Sequence, residues 1–200
     1  TTINTNKDIQ TAGDGAYVSG RRIVMSAGTG IGSAEVPLQI DVSYPAVAGT
    51  GTYPSLKAIT TSGPIVLAEI NGDLPIDEVS STSGGTIALT AVGAITVAQQ
   101  NSTTWALGSV SGGLLRLTAD GGGIGNGIGG TSAPPLTINS GVQPAGSKTP
   151  GRLLSVKATA HGDVYLKESA GDLWLDQLIT TGKAWIQVVG GGLYDANSVS

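Results

Sequence analysis

Short triplets in which two aliphatic residues flank a third residue recur along the whole chain. Gly, Asn, Asp and Ser bound these triplets, and helical spacing of apolar residues is not evident anywhere. Alternation with a period of two over three to five residues is typical of short, half-buried β-strands, so the pattern predicts an all-β chain. The triplets that predict strands are Ile23-Val24-Met25, Leu38-Gln39-Ile40, Ile65-Val66-Leu67, Leu74-Pro75-Ile76, Ile87-Ala88-Leu89, Ile95-Thr96-Val97, Leu115-Arg116-Leu117, Leu136-Thr137-Ile138, Val164-Tyr165-Leu166, Leu173-Trp174-Leu175 and Ile186-Gln187-Val188.

The spacing between triplets indicates how the strands are connected. Some triplets lie about nine to eleven residues apart, whereas others recur after 22 residues, as from Ile65 to Ile87 and from Val164 to Ile186. The longer spacing is the length of one turn of a parallel β-helix, in which each coil lays short strands on flat faces. An antiparallel sandwich is the alternative, because short strands at 8–12-residue spacing also suggest it. The sandwich requires neither the 22-residue recurrence nor a longer repeat, so we predict the β-helix.

A longer repeat relates the two halves of the chain. Val18-Ser19-Gly20 recurs as Val110-Ser111-Gly112, and Gly72-Asp73-Leu74 recurs as Gly171-Asp172-Leu173. The offset drifts from 92 to about 100 residues, which indicates small loop insertions between two copies of one plan. Self-similarity at a fixed period is the signature of repeat architectures whose units complete one another's core.

We therefore predict that residues 1–200 form one β-solenoid segment of a larger protein. Its internal units span approximately residues 10–101 and 102–197, with about four coils each. Eight or nine coils at ~4.8 Å per coil give a rod of roughly 40 Å. The open strand edges at both ends require cover, so neighbouring repeats of the same polypeptide are the expected partners, and end-to-end self-association is expected of the chain alone.

Composition agrees with a narrow aliphatic core. Gly accounts for 32 of 200 residues, hydrophobic residues for 40 % and charged residues for 12 %, with no Phe and no Cys. Glycine at more than twice its usual ~7 % share indicates many positions at which a side chain is unwelcome. The aliphatic content excludes disorder, and the net charge of −4 argues against nucleic acid as a partner. No apolar run approaches the ~20 residues that span a bilayer, so no membrane span is predicted.

Several phrases of the chain resemble the repeats of very large bacterial exoproteins. Gly30-Ile31-Gly32-Ser33 followed by Pro37-Leu38-Gln39-Ile40 is similar to their GxIG…NPL phrases. So is the run Gly162-Asp163-Val164-Tyr165-Leu166, continued by Gly171-Asp172-Leu173-Trp174-Leu175 and closed by Gly192-Leu193-Tyr194-Asp195-Ala196. These phrases look like those of filamentous-haemagglutinin-like adhesins and related giant surface proteins.

The resemblance implies a right-handed parallel β-helix that is exported to the bacterial cell surface or the medium. It implies a structural role as a stalk or adhesive fibre, with other cells or surface glycans as possible contacts of the longer protein. It transfers no catalytic residue to this chain. The predicted function is therefore that of a stiff, non-catalytic repeat segment of an extracellular adhesin.

Six acidic residues recur with the long repeat. Carboxylates are hard oxygen ligands of the kind Ca²⁺ prefers, so they predict a repeated calcium site that would stiffen the rod. The alternative is that the Gly-Asp pairs are corner residues of turns and the other carboxylates face solvent. The candidate ligands, at an offset of 99, are Glu69, Asp73 and Asp77 with Glu168, Asp172 and Asp176.

Aromatic residues of the second unit supply a candidate ligand site. If Val164 and Leu166 point inward, strand alternation points Tyr165 outward, and the same parity directs Trp174 and Trp185 outward. Outward rings can stack on sugars, which predicts a carbohydrate-binding module as the second hypothesis. Alternatively, the rings pack under a loop or against another segment of the longer protein.

Catalytic chemistry finds little support in the sequence. The chain has one histidine, His161, and no cysteine, and no motif pairs a serine with that histidine. The glycine-rich run 120–130 lacks the regularly placed Asp of calcium nonapeptides and the helix of a dinucleotide site, so we interpret it as a coil corner. A polysaccharide-degrading β-helix enzyme is the third and weakest hypothesis.

Overall fold

The computed structural model describes residues 1–13, 15–42, 53–101, 103–127, 134–142 and 155–197, without the side chains of 155–157. Seventeen short strands lie in these ranges. The first nine are β1 (Thr2–Asn4), β2 (Tyr17–Ser19), β3 (Arg22–Ala27), β4 (Leu38–Asp41), β5 (Ser55–Thr60), β6 (Ile65–Glu69), β7 (Leu74–Ser81), β8 (Ile87–Ala91) and β9 (Ile95–Val97). The other eight are β10 (Ser109–Ser111), β11 (Leu115–Ala119), β12 (Leu136–Asn139), β13 (Ser155–Ala160), β14 (Val164–Glu168), β15 (Leu173–Thr180), β16 (Ala184–Val188) and β17 (Leu193–Asp195). None of the described segments forms a helix long and apolar enough to cross a membrane.

The strands form two sheets between which the chain alternates. Sheet A has the order β1-β3-β5-β7-β10-β12-β14-β16, and β9 also pairs with β7. Sheet B has the order β2-β4-β6-β8-β11-β13-β15-β17. Every pairing between these strands is parallel. The predicted all-β class with parallel strands is confirmed, and the antiparallel sandwich is wrong.

The core is built from rows of aliphatic side chains aligned from strand to strand. In sheet B, Leu38, Leu67, Leu89 and Leu117 lie in register on successive strands, and each is at most 3 % exposed. Residues of both sheets belong to one continuous hydrophobic cluster. Burying a leucine of this kind contributes about 1.5–3 kcal/mol, so the rows are the main source of stability. The period-2 pattern specifies the register, because a shift by one residue would move each row to the outer face.

The repeated Gly-Ile-Gly phrase forms a corner just before β4 and before β12. Ile31 and Ile124 are fully buried and bridge to the first residue of the next strand along their sheets. Gly32 and Gly125 have positive φ angles of 65° and 76°. A Cβ there would lie 2.2 Å and 2.3 Å, respectively, from a backbone oxygen of that next strand. Only glycine fits this close approach, which explains why the phrase recurs.

Strands β2 to β9 correspond one to one with β10 to β17. The pairing of β7 with β9 recurs as that of β15 with β17, at Leu74–Ile95 and Leu173–Leu193. Corresponding strands lie in opposite sheets, because β9 and β10 both pair with β7 in sheet A. Seven changes of sheet separate β2 from β10, so one unit makes three and a half passages through both sheets. The prediction was about four coils.

A β-bulge marks the same point of each unit. Along β7 the partners of Leu56 and Lys57 are Ile76 and Glu78, so that Asp77 is the extra residue. Along β15 the register shifts at the equivalent step, which makes Asp176 the extra residue. Bulges bend a strand locally and redirect a side chain. The two aspartates therefore recur because each is the extra residue of the same bulge.

Candidate functional site

The three aromatic residues predicted to bind a glycan are divided between the two sheets. Tyr165 and Trp185 lie side by side in register on β14 and β16 of sheet A. Trp174 lies on β15 of sheet B, in register with Tyr194 on β17. All three predicted rings are half-buried. The structure therefore forms two separate aromatic surfaces.

Ring contacts occupy part of both surfaces. Trp174 and Tyr194 stack with ring centroids 4.8 Å apart and an angle of 21° between their planes. One face of each ring is therefore covered by the neighbouring ring, which leaves only the opposite face for a sugar. The Tyr165 hydroxyl donates a hydrogen bond of 2.7 Å to Oδ2 of Asp163. Tyr194 was not among the predicted aromatic residues, although its spacing of 20 residues from Trp174 is close to the coil repeat.

The repeated glutamates lie inside the fold. Glu69 is 1 % exposed, and its carboxylate accepts hydrogen bonds from the backbone N–H groups of Val42 (2.8 Å) and Asn71 (3.0 Å). Glu168 is fully buried and accepts bonds from both the N–H (3.1 Å) and the hydroxyl (2.8 Å) of Ser140. Each glutamate thus joins the residues that follow one strand to a neighbouring strand of the same sheet.

Burial controls the protonation of these two carboxyl groups. Loss of hydration raises the pKa of Glu69 from 4.5 to about 7, although its two backbone hydrogen bonds act in the opposite direction. Burial also raises the pKa of Glu168, against the bonds from Ser140. Desolvation favours the neutral form of an acid, and here its effect is larger than that of the donors.

Aspartates at three corners link successive passages of the chain. Each accepts a hydrogen bond from a backbone N–H located 20 or 21 residues further on, which closes the corner against its neighbour in the stack. The three bonds run to Asp73 from Ala94 (2.8 Å), to Asp172 from Gly192 (2.8 Å) and to Asp163 from Lys183 (2.7 Å). We term this arrangement the Asp corner. The N–H of Lys183 and the Tyr165 hydroxyl lower the pKa of Asp163.

A glycine sits directly against each Asp corner. A Cβ at that glycine would meet the aspartate Oδ1, at 2.4 Å for Gly93, 2.3 Å for Gly182 and 2.5 Å for Gly191. The sequence signal is Gly-Asp followed after 19 or 20 residues by a second glycine, and only the first part of it was recognised. The alternative interpretation of Asp73 and Asp172 as turn residues agrees with these contacts.

The six predicted calcium ligands do not converge. The glutamates are buried, Asp73 and Asp172 serve Asp corners, and Asp77 and Asp176 occupy bulges. Among the described residues, no three Asp, Glu, His or Cys side chains are grouped so that they could hold a metal ion. Hydrogen bonds to backbone N–H groups account for the recurrence of Glu69, Asp73, Glu168 and Asp172, and the described residues do not group the six carboxylates into a calcium site.

His161 and the glycine-rich run also occupy structural positions. The His161 ring nitrogen Nδ1 contacts the carbonyl oxygen of Asp120, one strand away in sheet B. Within the described part of the run, the Ile124 N–H donates to the Asp163 carbonyl (2.9 Å) and extends the stack. Residues 128–130 of the run lie outside the described residues. The corner interpretation agrees with the part that is described.

A hairpin between β9 and β10 borders two surface depressions of the described chain. Residues 98–107 leave sheet A after Val97 and return before Ser109, with an antiparallel bridge between Gln99 and Trp105. Two adjoining depressions of about 320 Å³ and 230 Å³ flank it and share Tyr53 and Gln99. Together we term them the hairpin cleft. Its lining residues are Arg22, Tyr53, Pro54, Ser55, Pro75, Asp77, Thr96, Val97, Ala98, Gln99, Gln100, Trp105, Ala106 and Asn126.

No hydrophobic pattern in the sequence marks this cleft. Trp105 and Tyr53 lie outside every predicted triplet, and parity could not orient them. The available signal was the stretch of eleven residues between Val97 and Ser109, which is longer than a corner needs.

Comparison with known proteins gave no match to this chain: no protein-family model, no curated protein and no solved structure is significantly similar to it.

Proposed function

We propose that the two sheets close into one right-handed parallel β-helix, and that the chain is a stiff, non-catalytic segment of a large exported bacterial adhesin. The observation that supports this most is the alternation of the chain between two parallel sheets of eight successive levels each, interrupted among the described strands only where β9 and β10 both pair with β7 in sheet A. In such a stack the backbone hydrogen bonds run along the long axis. A level is one strand of each sheet, and tension along the rod then acts on the hydrogen bonds between successive levels in both sheets.

The side-chain contacts favour a mechanical role. Asp corners join levels at Asp73, Asp163 and Asp172, and buried carboxylates join them at Glu69 and Glu168. All five side chains bond to backbone N–H groups about 20 to 28 residues away in sequence. A chain whose acidic side chains fasten one level to the next suits a spacer that holds an adhesive part away from a cell.

Side chains of core type lie exposed or half-buried at the last described level. Leu193 is 55 % exposed, although it lies in register with the fully buried Leu173. Ile186 and Val188 are half-buried, although they align with the buried Leu166 and Glu168. Side chains of core type at an open edge are stabilised when a further parallel level covers them.

A tandem fusion of two copies of the chain tests the scaffold proposal. Eight levels at ~4.8 Å predict a rod of roughly 40 Å per copy, and the fusion should form one rod of roughly 80 Å with an unchanged cross-section. Electron microscopy and small-angle scattering measure both dimensions. Two globular bodies on a flexible connection would contradict the proposal.

The second candidate function is carbohydrate binding by the aromatic residues of the second unit. The adjacency of Tyr165 and Trp185 on the outer face of sheet A favours it. A glycan array with the chain and with its Trp185→Ala and Trp174→Ala variants tests it. Specific binding that disappears in these variants would support the module, and unchanged binding would reject it.

A further inference from the structure

We propose that the hairpin cleft binds a short neutral oligosaccharide. This proposal is independent of the scaffold role, and it places the ligand beside β7 at the junction of the two units, away from Tyr165, Trp174 and Trp185. The cleft combines aromatic and proline side chains with polar side chains. That combination matches the two kinds of surface that a sugar ring presents.

The apolar wall consists of two aromatic rings and two prolines. Tyr53 and Trp105 line the smaller depression together with Pro54 and Pro75. The C–H face of a pyranose packs on such rings, and their few rotatable bonds keep the entropic cost of ordering low. Pro75 lies in β7 opposite Thr96 of β9, so this part of the apolar wall belongs to sheet A.

The charged and amide side chains of the cleft belong to its larger depression. Arg22, Asp77, Gln99 and Gln100 line the larger depression. Amide, carboxylate and guanidinium groups each offer paired donors or acceptors that match two neighbouring sugar hydroxyls. Asn126 uses Oδ1 to accept the Val97 N–H (2.7 Å) and Nδ2 to donate to the Val97 carbonyl (3.3 Å), which fixes the plane of its amide at the cleft wall.

The hairpin is a rigid support for these groups. The Gln100 N–H donates to the Thr104 carbonyl (2.8 Å), and the Ala106 N–H donates to the Ala98 carbonyl (2.8 Å). At the tip, Asn101 Oδ1 accepts the N–H of Thr104 (2.8 Å). The antiparallel bridge then places the Gln99 and Trp105 side chains on one face, where residues directly opposite lie about 5 Å apart.

The charges of the cleft select a neutral ligand. Arg22 and Asp77 both line the larger depression, so that its formal charge sums to zero. A polyanionic chain such as a uronate polymer would meet Asp77 without a second cation. A purely apolar ligand would bury Gln99 and Asp77 without hydrogen bonds, which is costly.

Fluorescence and calorimetric titration of the full chain tests the proposal. The probes are cellotetraose, mannotetraose, galactotetraose and, as the acidic comparison, tetragalacturonate. We expect saturable binding of at least one neutral probe with a change in tryptophan emission. Trp105→Phe should keep the calorimetric binding and lose most of the emission change, because it retains a ring at the wall.

Tyr53→Ala and Gln99→Ala should each weaken that binding about tenfold while circular dichroism stays unchanged. Trp185→Ala is the matched control and should bind like the unaltered chain. Absence of binding to every neutral probe, preference for tetragalacturonate, or unchanged binding in both Tyr53→Ala and Gln99→Ala would overturn the proposal. Loss of binding in Trp185→Ala would overturn it as well and would assign the ligand to the second unit.

Discussion

Buried glutamates are the most unusual residues of this chain. Glu69 lies in a core-facing row between Ile40 and Ala91, where an aliphatic side chain would be expected. The structure keeps it there because its carboxylate binds backbone N–H groups at Val42 and Asn71, which leave their strands at the same corner. A buried polar group that satisfies backbone donors fixes the local geometry even where its burial opposes ionisation.

The raised pKa of Glu69 predicts a pH-dependent stability. The folded state holds this proton up to about pH 7, whereas an unfolded glutamate releases it near 4.5. The associated stability is complete below about pH 4.5 and is lost as the pH rises to about 7. We expect unfolding free energies from urea titrations to fall by about 1–2 kcal/mol over that window, after allowance for partial solvent screening. Glu168, whose pKa is raised as well, adds to the loss in the same direction.

Glu69→Gln isolates this contribution, because glutamine cannot ionise. The variant should show a smaller decrease in stability than the unaltered chain over the same window. Glu35→Gln, at an exposed position, is the matched control and should leave the pH profile unchanged. A Glu69→Gln profile parallel to that of the unaltered chain would show that this group does not titrate in the window.

Substitution of Gly93 tests whether the close packing of this glycine against the Asp corner stabilises the fold. Its Cβ would lie 2.4 Å from Asp73 Oδ1 and 2.6 Å from the Gly72 backbone, so Gly93→Ala must displace the corner. We expect a loss of about 1–3 kcal/mol in thermal or urea unfolding. Gly141→Ala is the control, since its Cβ would meet nothing closer than 3.6 Å. Equal stability of the two variants would refute the role assigned to the corner.

Part of this residue-scale chemistry could be predicted from the sequence. The Gly-Asp repeats indicated turns. The alternative that the other carboxylates face solvent is wrong for the glutamates: Glu69 and Glu168 are buried, and Glu69 shares the parity of the buried Ile65 and Leu67. The partners could not be predicted, because the donors lie one level away and depend on register. Calcium was suggested by the recurrence of the carboxylates, and the described structure separates them.

At the scale of elements, alternation located the strands with strong aliphatic pairs. Each of the eleven triplets lies within a strand. The missed strands carry weaker inward residues: β5 directs Leu56, Ala58 and Thr60 inward and Ile59 outward, so its hydrophobic pattern is blurred. The hairpin at 98–107 has no period that distinguishes it from a loop. Its pairing comes from local turn bonds at Asn101.

The hairpin should be removable without loss of the fold. Val97 pairs with Ile76, and Ser109 pairs with Glu78, so the insertion leaves and re-enters sheet A at neighbouring positions opposite β7. Deletion of residues 99–107 lets β9 and β10 join across the Asp77 bulge. We expect an unchanged far-UV circular dichroism spectrum and a modest decrease in melting temperature, because Trp105 packs against the core. Global unfolding of the deletion variant would contradict this account of the insertion.

At the scale of the whole molecule, the two copies of the long repeat are placed on opposite sheets, which the sequence did not predict. Each unit makes three and a half passages, so equivalent surfaces of the two units lie on opposite sheets. The bulge and outward residues beside β7 face one side, and those beside β15 face the other. Sequence alignment detects the equivalence of strands, but only the strand pairing assigns them to a sheet.

The exposed last level predicts self-association. Sedimentation velocity should show oligomers that grow with concentration, because Leu193 and its neighbours can pair with the half-buried Ile3 and Val18 of a second copy. Leu193→Lys should shift the population toward the monomer. Leu107→Lys, at a 78 % exposed position on the hairpin, is the control and should not. A chain that stays monomeric over a wide concentration range would contradict the prediction that the exposed strand edges of two copies pair.

The most direct test of the continuous parallel stack is a set of spin-label distances along one outward column of sheet B. The chain lacks cysteine, so labels can be placed in pairs with Tyr17 as the fixed partner. The column continues in register through Gln39, Ala68, Thr90, Thr118 and Thr159. Pulsed electron paramagnetic resonance should give backbone separations from Tyr17 that grow by ~4.8 Å per level, to about 14, 19 and 24 Å at Thr90, Thr118 and Thr159. Distances that fail to increase evenly along this series would contradict the stack.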